Sequence, residues 1–189
     1  MDGSLSLREQ KSFLRKELRE KLRTLEPEER TRQSEKVSKE LLGHLRFTKA
    51  QNVMVYMATE TEVETRSLLK EAWRRRKKVY MPRLDLQERR IQIIEISDLK
   101  ELSRGPYGIL EPPLNQSYLG KPEELDLAIV PGLGFDRGGG RLGHGLGYFD
   151  RFLLEVRKAY KIGLAFECQI MDEIPCEAHD VVMDEVLIG

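Results

Sequence analysis

Short, almost wholly apolar runs alternate with amphipathic segments through the middle of this chain. The runs Asn52–Thr59 (NVMVYMAT) and Val79–Pro82 (VYMP) are typical of strands that are buried on both faces of a parallel sheet. Between them, the segment TRSLLKEAWRRRKK places its apolar side chains at helical spacing. A strand, a helix and a strand in this order predict a right-handed βαβ unit, which restricts the chain to the α/β class.

The remaining pattern extends this unit in both directions. Two amphipathic helices are predicted first, one from Leu7 to Leu25 and one with Pro27 in its first turn. Further strands are predicted at IQIIEI, LDLAIVPG, KIGLAF and DEVLIG, and the direction of the first of these is left open. We therefore expect one α/β domain over residues 1–189, a three-layer sandwich with a mostly parallel sheet and N-terminal helices.

The charge and hydropathy of the chain exclude several classes of function. Its 32 basic residues balance 32 acidic ones, so no general attraction to nucleic acid or to an anionic membrane is expected. No apolar run approaches the roughly 20 residues of a spanning helix. The basic run Arg74–Lys78 fits a solvated helix end better than a nucleic-acid patch. We expect a cytoplasmic protein, since the acidic residues Glu9, Glu17 and Glu20 disfavour a mitochondrial transit peptide.

A glycine-rich loop carries the strongest functional signal. The segment GGGRLGHGLGYFDRFLLEV follows a predicted buried strand and leads directly into a helical pattern. It is neither a Walker A motif nor the G-x-G-x-x-G dinucleotide fingerprint. Exposed amides at a helix N-terminus favour an anion, with Arg141 and Arg151 as sources of charge, although a flexible turn that binds nothing is the alternative. Asp150, in the first helical turn, fits either a partner of the helix dipole or a Mg²⁺ ligand.

The longer segment PGLGFDRGGGRLGHGLGYFDRFL resembles the signature of the 5-formyltetrahydrofolate cyclo-ligases, also called methenyltetrahydrofolate synthetases. The family pattern is roughly P-G-x-x-F-D-x-x-G-x-R-L-G-x-G-x-G-Y-Y-D-R. The resemblance extends over nearly the whole chain. It includes a basic first helix with Lys11 and Arg15, TEVET at Thr61–Thr65, YGILEP at Tyr107–Pro112 and an H-D-x-x-x-D-E-V ending at His179–Val186.

This resemblance implies a reaction. In the family, ATP drives the cyclisation of 5-formyltetrahydrofolate to 5,10-methenyltetrahydrofolate, with release of ADP and phosphate. The formyl oxygen attacks the γ-phosphate to give an iminophosphate, and N10 of the folate then displaces the phosphate. The expected ligands are ATP, Mg²⁺ and 5-formyltetrahydrofolate, with or without a polyglutamate tail. We expect a monomer, although no motif specifies an oligomeric state.

The resemblance also implies roles for individual residues. Those expected at ATP are Lys11, Arg15, Arg141, Leu142, Gly143, His144, Gly145, Leu146, Gly147, Tyr148 and Phe149. Those expected at the folate are Met57, Glu62, Tyr107, His144, Gly145, Leu146, Gly147 and Tyr148. Asp150 and Asp180 are expected to hold Mg²⁺. Arg141, His144 and Tyr148 are expected to act in catalysis. Without the resemblance, Glu62 reads as an ordinary loop acid.

The loop departs from some relatives at two charged positions. His144 and Leu146 stand where those relatives carry Arg and Lys, and Phe149 replaces the second tyrosine. Positive charge is then expected from Lys11, Arg15, Arg141 or Arg151. His144 adds to it if the negative charge of nearby phosphates favours its protonated form. Two other functions stay open at this point: a phosphosugar-binding or isomerase-like domain of the wider superfamily, and a non-catalytic folate-binding relative.

Overall fold

The computed structural model describes residues 5–115, 118–177 and 180–189 of the chain. Its helices are α1 (Leu7–Thr24), α2 (Pro27–Gly43), α3 (Leu45–Lys49), α4 (Arg66–Arg74) and α5 (Tyr148–Glu155). Its strands are β1 (Asn52–Met54), β2 (Lys78–Asp85), β3 (Arg90–Ile96), β4 (Ser103–Arg104), β5 (Leu110–Glu111), β6 (Leu127–Val130), β7 (Gly134–Asp136), β8 (Arg141–Leu142), β9 (Tyr160–Ala165), β10 (Ile170–Met171) and β11 (Glu185–Ile188).

A six-stranded sheet forms the centre of the described fold, in the order β11-β9-β6-β1-β2-β3. All neighbouring pairs are parallel except β2 and β3, which form an antiparallel hairpin. The four residues between β2 and β3 are too few for a parallel crossover, so the chain reverses there. The predicted mostly parallel sheet is confirmed, and the open direction of the strand at Ile91–Ile96 is antiparallel.

The central strands bury both faces, as their nearly continuous apolar sequences predict. Val53 and Leu127 lie in the core cluster that contains α2 and α4 side chains. Met54 and Ala128, one position along each strand, lie in the cluster that contains Phe152 of α5. Because successive side chains of a strand point to opposite faces, helices cover the sheet on both sides. The three-layer α/β arrangement is confirmed.

The basic run after α4 is only partly a solvated helix end. The helix ends at Arg74, and Arg76 adopts a left-handed conformation with a φ of 58°. Lys77 is buried, and its ammonium group donates to the carbonyl oxygens of Thr48 and Ala50. Those carbonyls end α3, where the helix dipole attracts a cation. The expectation of solvated side chains is therefore wrong for Lys77.

Small elements beside the main sheet were not predicted from the sequence. Strands β10, β7 and β8 form a three-stranded sheet, and β4 pairs with β5 in a hairpin. Strand β1 is also shorter than the predicted run Asn52–Thr59. The amide of Val55, just beyond it, still donates to the backbone carbonyl of Tyr80 in β2. Within the described residues, no helix combines the length and apolar character needed to cross a bilayer.

Candidate active site

A cleft of about 490 Å³ opens at the carboxyl ends of the central parallel strands. Its walls come from the segment after β1, the β2–β3 hairpin, the β5 hairpin and the glycine loop before α5. The lining residues are Arg19, Tyr56, Met57, Thr59, Glu62, Pro82, Leu84, Ile91, Ile109, Leu110, Glu111, Pro131, Arg141, Gly143, His144, Leu146, Gly147, Tyr148, Phe149 and Asp150. Ligands of open α/β sheets bind at this edge.

The glycine loop depends on backbone conformations that favour glycine. Gly145 has a φ of 103°, and Gly147, which caps the N-terminus of α5, has a φ of 69°. Helix α1 holds the loop through two arginines: Arg15 Nε donates to the carbonyl of Gly143 at 2.9 Å, and Arg19 Nη2 donates to that of His144 at 3.3 Å. The loop therefore forms a fixed wall of the cleft. Its glycines leave the backbone amides at the start of α5 uncovered by side chains.

Arg141 is a buried cation at the base of the cleft. Its side chain is only 3% exposed and forms an ion pair with Asp150 of α5. Nη1 donates to the carbonyl of Pro131 at 3.1 Å, while Nε is buried without a hydrogen-bond partner among the described residues. Burial lowers the pKa of Arg141, and the charge of Asp150 opposes that effect. Because it lines the cleft and its guanidinium keeps a positive charge, Arg141 suits an anionic ligand.

Glu62 presents a carboxylate to the opposite side of the cleft. Its side chain is 12% exposed, and Oε2 accepts hydrogen bonds from the amide and the hydroxyl of Thr59 at 2.9 and 2.8 Å. Burial raises the pKa of the Glu62 carboxyl, and the bonds from Thr59 oppose that rise. Oε1 lies 4.0 Å from Nε2 of His144. Glu62 is therefore part of the cleft wall rather than an ordinary surface acid.

His144 lies across the cleft from Glu62, at the tip of the glycine loop. Its side chain is 53% exposed. Partial burial and the charges of Arg19, Arg141 and Arg15 lower its pKa, so the neutral imidazole is favoured. The expected protonation relied on phosphate groups, whose charge would oppose these arginines. Protonation of His144 beside phosphate groups stays a prediction.

Lys11 and Asp180 pair with each other, and neither lines the cleft. Lys11 Nζ donates to Asp180 Oδ2 at 2.6 Å and to Glu177 Oε2 at 2.9 Å. Burial acts to lower the pKa of Lys11, but the hydrogen bonds to these two carboxylates outweigh it and raise the pKa. The predicted ATP-binding lysine and the predicted second metal ligand are therefore partners of each other.

The predicted site residues fall into two groups. The cleft is lined by Met57, Glu62, Arg141, Gly143, His144, Leu146, Gly147, Tyr148, Phe149 and Asp150. The residues that do not line it are Lys11, Arg15, Leu142, Gly145 and Asp180. Leu142 packs its side chain against Leu18 and Ile174 in a separate core cluster. Tyr107 lies in a short 3₁₀ turn, and its side chain, like all of His179, lies outside the described residues.

Several cleft residues carried no signal that would have singled them out in the sequence. Arg19 reads as one more charge on a basic helix, yet it lines the cleft. Glu111 is buried and pairs with Arg83 at 2.8 Å, which anchors the β5 hairpin to β2. Glu111 belongs to the YGILEP segment of the family resemblance, in which Tyr107 is the predicted site residue.

The comparisons with known proteins agree with the glycine-loop signature. The model of the 5-formyltetrahydrofolate cyclo-ligase family matches residues 7–189. The chain belongs to this family of ligases. The 5-formyltetrahydrofolate cyclo-ligase of Mus musculus is 32% identical to it over 98% of this chain and 96% of the mouse protein. That of Haemophilus influenzae is 30% identical over 81% of this chain and 83% of its own length.

A solved structure extends the agreement to the fold. The structure of 5,10-methenyltetrahydrofolate synthetase from Aquifex aeolicus superposes with a TM-score of 0.82 at 34% identity. The superposition covers 94% of this chain and 89% of the Aquifex chain. The family resemblance inferred from the sequence is confirmed.

Proposed function

We propose that this protein catalyses the ATP- and Mg²⁺-dependent cyclisation of 5-formyltetrahydrofolate to 5,10-methenyltetrahydrofolate, with release of ADP and phosphate. One observation carries the proposal. A single cleft brings Glu62, which follows β1, to within 4.0 Å of His144 in the signature loop. The family signature and the expected folate contact therefore face one ligand-sized space.

The chemistry explains why such a cleft would serve two substrates. A formamide oxygen is a poor leaving group, so it first attacks the γ-phosphorus of ATP and takes up the phosphoryl group, with ADP as the leaving group. Attack by N10 on the activated formyl carbon then expels the oxygen as phosphate, and N10 loses its proton. The protein mainly has to hold the two ligands in line and to stabilise phosphate charge. Arg141 and the loop amides are suited to the phosphates, and Met57 and Glu62 to the pterin.

The described residues fit a magnesium ion that takes most of its ligands from phosphate. Among them, no three His, Cys, Asp or Glu side chains form a cluster that could hold a metal. Asp150 pairs with Arg141, and Asp180 pairs with Lys11. Mg²⁺ commonly binds through one or two carboxylates together with substrate phosphates. We propose Asp150 as the protein ligand beside the cleft, with Asp180 as the second candidate.

The reaction itself is the first test. Enzyme, Mg-ATP and 5-formyltetrahydrofolate are expected to give a rise in the absorbance of the methenyl product in step with ADP. Omission of the folate should stop ADP release. If folded protein produces neither signal, the two open alternatives remain: a phosphosugar-binding domain and a non-catalytic folate binder. Calorimetry with a phosphosugar and with 5-formyltetrahydrofolate would distinguish them.

Glu62→Gln tests the folate contact. The substitution keeps the size of the side chain but places an NH₂ donor where pterin N–H groups need an acceptor, which costs about 1–3 kcal/mol. We expect affinity for 5-formyltetrahydrofolate to fall about tenfold, measured by calorimetry. Glu60→Gln, at an exposed position two residues away, is the matched control and should bind normally. Unchanged folate binding by Glu62→Gln would place the pterin elsewhere.

Replacement of Lys11 and Arg15 by alanine tests the N-terminal helix. The two residues share one face of α1, and Arg15 holds the glycine loop. The Michaelis constant for ATP should rise much more than that for the folate, because the family resemblance places Lys11 and Arg15 at ATP and neither lines the cleft that contains Glu62. Lys16→Ala, on the exposed side of the same helix, is the control. Equal effects on both Michaelis constants would count against a nucleotide role.

Several expectations from the sequence stay predictions. They are the single-domain organisation over residues 1–189, the monomeric state, the cytoplasmic location, the binding of 5-formyltetrahydrofolate with or without a polyglutamate tail, and the lack of interaction with nucleic acid or membranes.

A further inference from the structure

Thr59 makes two of the contacts that fix the Glu62 carboxylate. Its amide and its hydroxyl both donate to Oε2, at 2.9 and 2.8 Å. Oε1 accepts no hydrogen bond within the part of the chain that the structure describes, and it is the oxygen nearer to His144. Both Thr59 and Glu62 line the cleft. One carboxylate oxygen is thus held by the protein while the other stays available to a ligand.

The backbone around Glu62 is held independently of the Thr59 hydroxyl. The hydroxyl of buried Thr65 donates to the carbonyl of Tyr56 at 2.7 Å and accepts from the amide of Ala58 at 3.2 Å. The hydroxyl of Tyr56 donates to the carbonyl of Val63 at 3.3 Å. Removal of the Thr59 hydroxyl alone should therefore leave this turn in place and affect mainly the carboxylate.

We infer that Thr59 is a positioning residue for substrate, whose hydroxyl orients the Glu62 carboxylate so that Oε1 faces the pterin. The inference deepens the proposed function and rests on the folate contact of Glu62. A carboxylate that accepts two hydrogen bonds on one oxygen is restricted in rotation, so less freedom is lost when it binds a ligand. The same bonds favour its ionised form, the form that can only accept.

Thr59→Val is the direct test because it exchanges the hydroxyl for a methyl group of similar size. We expect the Michaelis constant for 5-formyltetrahydrofolate to rise roughly three- to tenfold, and that for ATP to change little. Thr59→Ser keeps the hydroxyl and should restore the wild-type value. Thr61→Val, in the same turn but outside the cleft lining, is the matched control. A melting temperature within a few degrees of wild type would show that the fold persists.

The pH profile supplies a readout that a purely structural role would not move. Hydrogen bonds from the amide and the hydroxyl of Thr59 hold the Glu62 pKa down against burial, so loss of the hydroxyl bond should raise that pKa further. The acid limb of kcat/KM for the folate should then move to higher pH in Thr59→Val. His144 also faces Glu62, and Arg19 and Arg141 influence His144, so the profile is compared with that of His144→Gln. The limb assigned to Glu62 should persist in His144→Gln.

A double variant separates this inference from the proposed function. If Thr59 acts through Glu62, Thr59→Val should add nothing to the loss already caused by Glu62→Gln. An additive loss, or an unchanged folate Michaelis constant in Thr59→Val, would overturn the inference while wild-type turnover still supported the reaction. A wild-type protein without turnover would instead remove the proposed function.

Discussion

Asp150→Asn is expected to lower turnover by roughly a hundredfold or more while the protein stays folded. Asp150 lies in the first turn of α5, lines the cleft and holds the buried guanidinium of Arg141. Asparagine keeps an oxygen that can accept from Arg141, but it removes the negative charge that a metal ion beside phosphates would need. The turnover number at saturating substrates and its dependence on Mg²⁺ concentration are the measurements.

The free energy of unfolding of the Asp150 variants distinguishes two structural roles of Asp150, a helix-dipole partner and the counter-ion of Arg141. A helix-dipole role alone predicts a loss of about 0.3–1 kcal/mol. The ion pair predicts more for Asp150→Ala, about 3 kcal/mol in urea unfolding, because Arg141 would be left buried without its counter-ion. This figure lies at the low end of the range for buried pairs because the Asp150 side chain is 31% exposed. Glu155→Gln, at the exposed end of the same helix, is the control. Near-normal turnover of Asp150→Asn at limiting Mg²⁺ would argue against a metal role.

The sequence could predict the central sheet because the periodicity of apolar residues is a local property. Runs such as LAIV and the helix that begins at Pro27 need only their own residues to be recognised. The position of Glu62 near the glycine loop could also be predicted from the sequence. Strands β1 and β6 are parallel neighbours, so the segments after them emerge at the same edge of the sheet.

The contacts that shape the cleft could not be predicted from the sequence because they join residues distant in sequence. Lys11 and Asp180 are 169 positions apart, and nothing local marks them as partners. Arg141 and Asp150 are closer, but a turn whose path depends on two left-handed glycines brings them together. Strands β7 and β8 are only three and two residues long, and glycines flank them in the sequence. The strand propensity of their residues therefore could not identify them.

Asp136 provides the second large effect, and it is one of stability rather than catalysis. This signature residue at the end of β7 is buried, and it does not line the cleft. Its Oδ1 accepts from the amides of Gly138 and Gly140 at 2.8 Å each, and Oδ2 accepts from the amide of Ile174 at 2.9 Å. One carboxylate thus closes the turn before Arg141 and ties it to the C-terminal segment.

Asp136→Ala should therefore destabilise the protein by about 3–5 kcal/mol. The buried amides of Gly140 and Ile174 lose their acceptor at about 1–3 kcal/mol each, and the more exposed amide of Gly138 loses a weaker bond. The melting temperature is expected to fall by roughly 10 °C. Asp136→Asn keeps one acceptor oxygen and should lose less, while Asp172→Ala, at an exposed position, should melt normally. The folded fraction of Asp136→Asn should keep its Michaelis constants for both substrates. A variant with normal stability but lost turnover would instead make Asp136 part of the chemistry, and the aspartate of the F-D signature would need a role at the substrates.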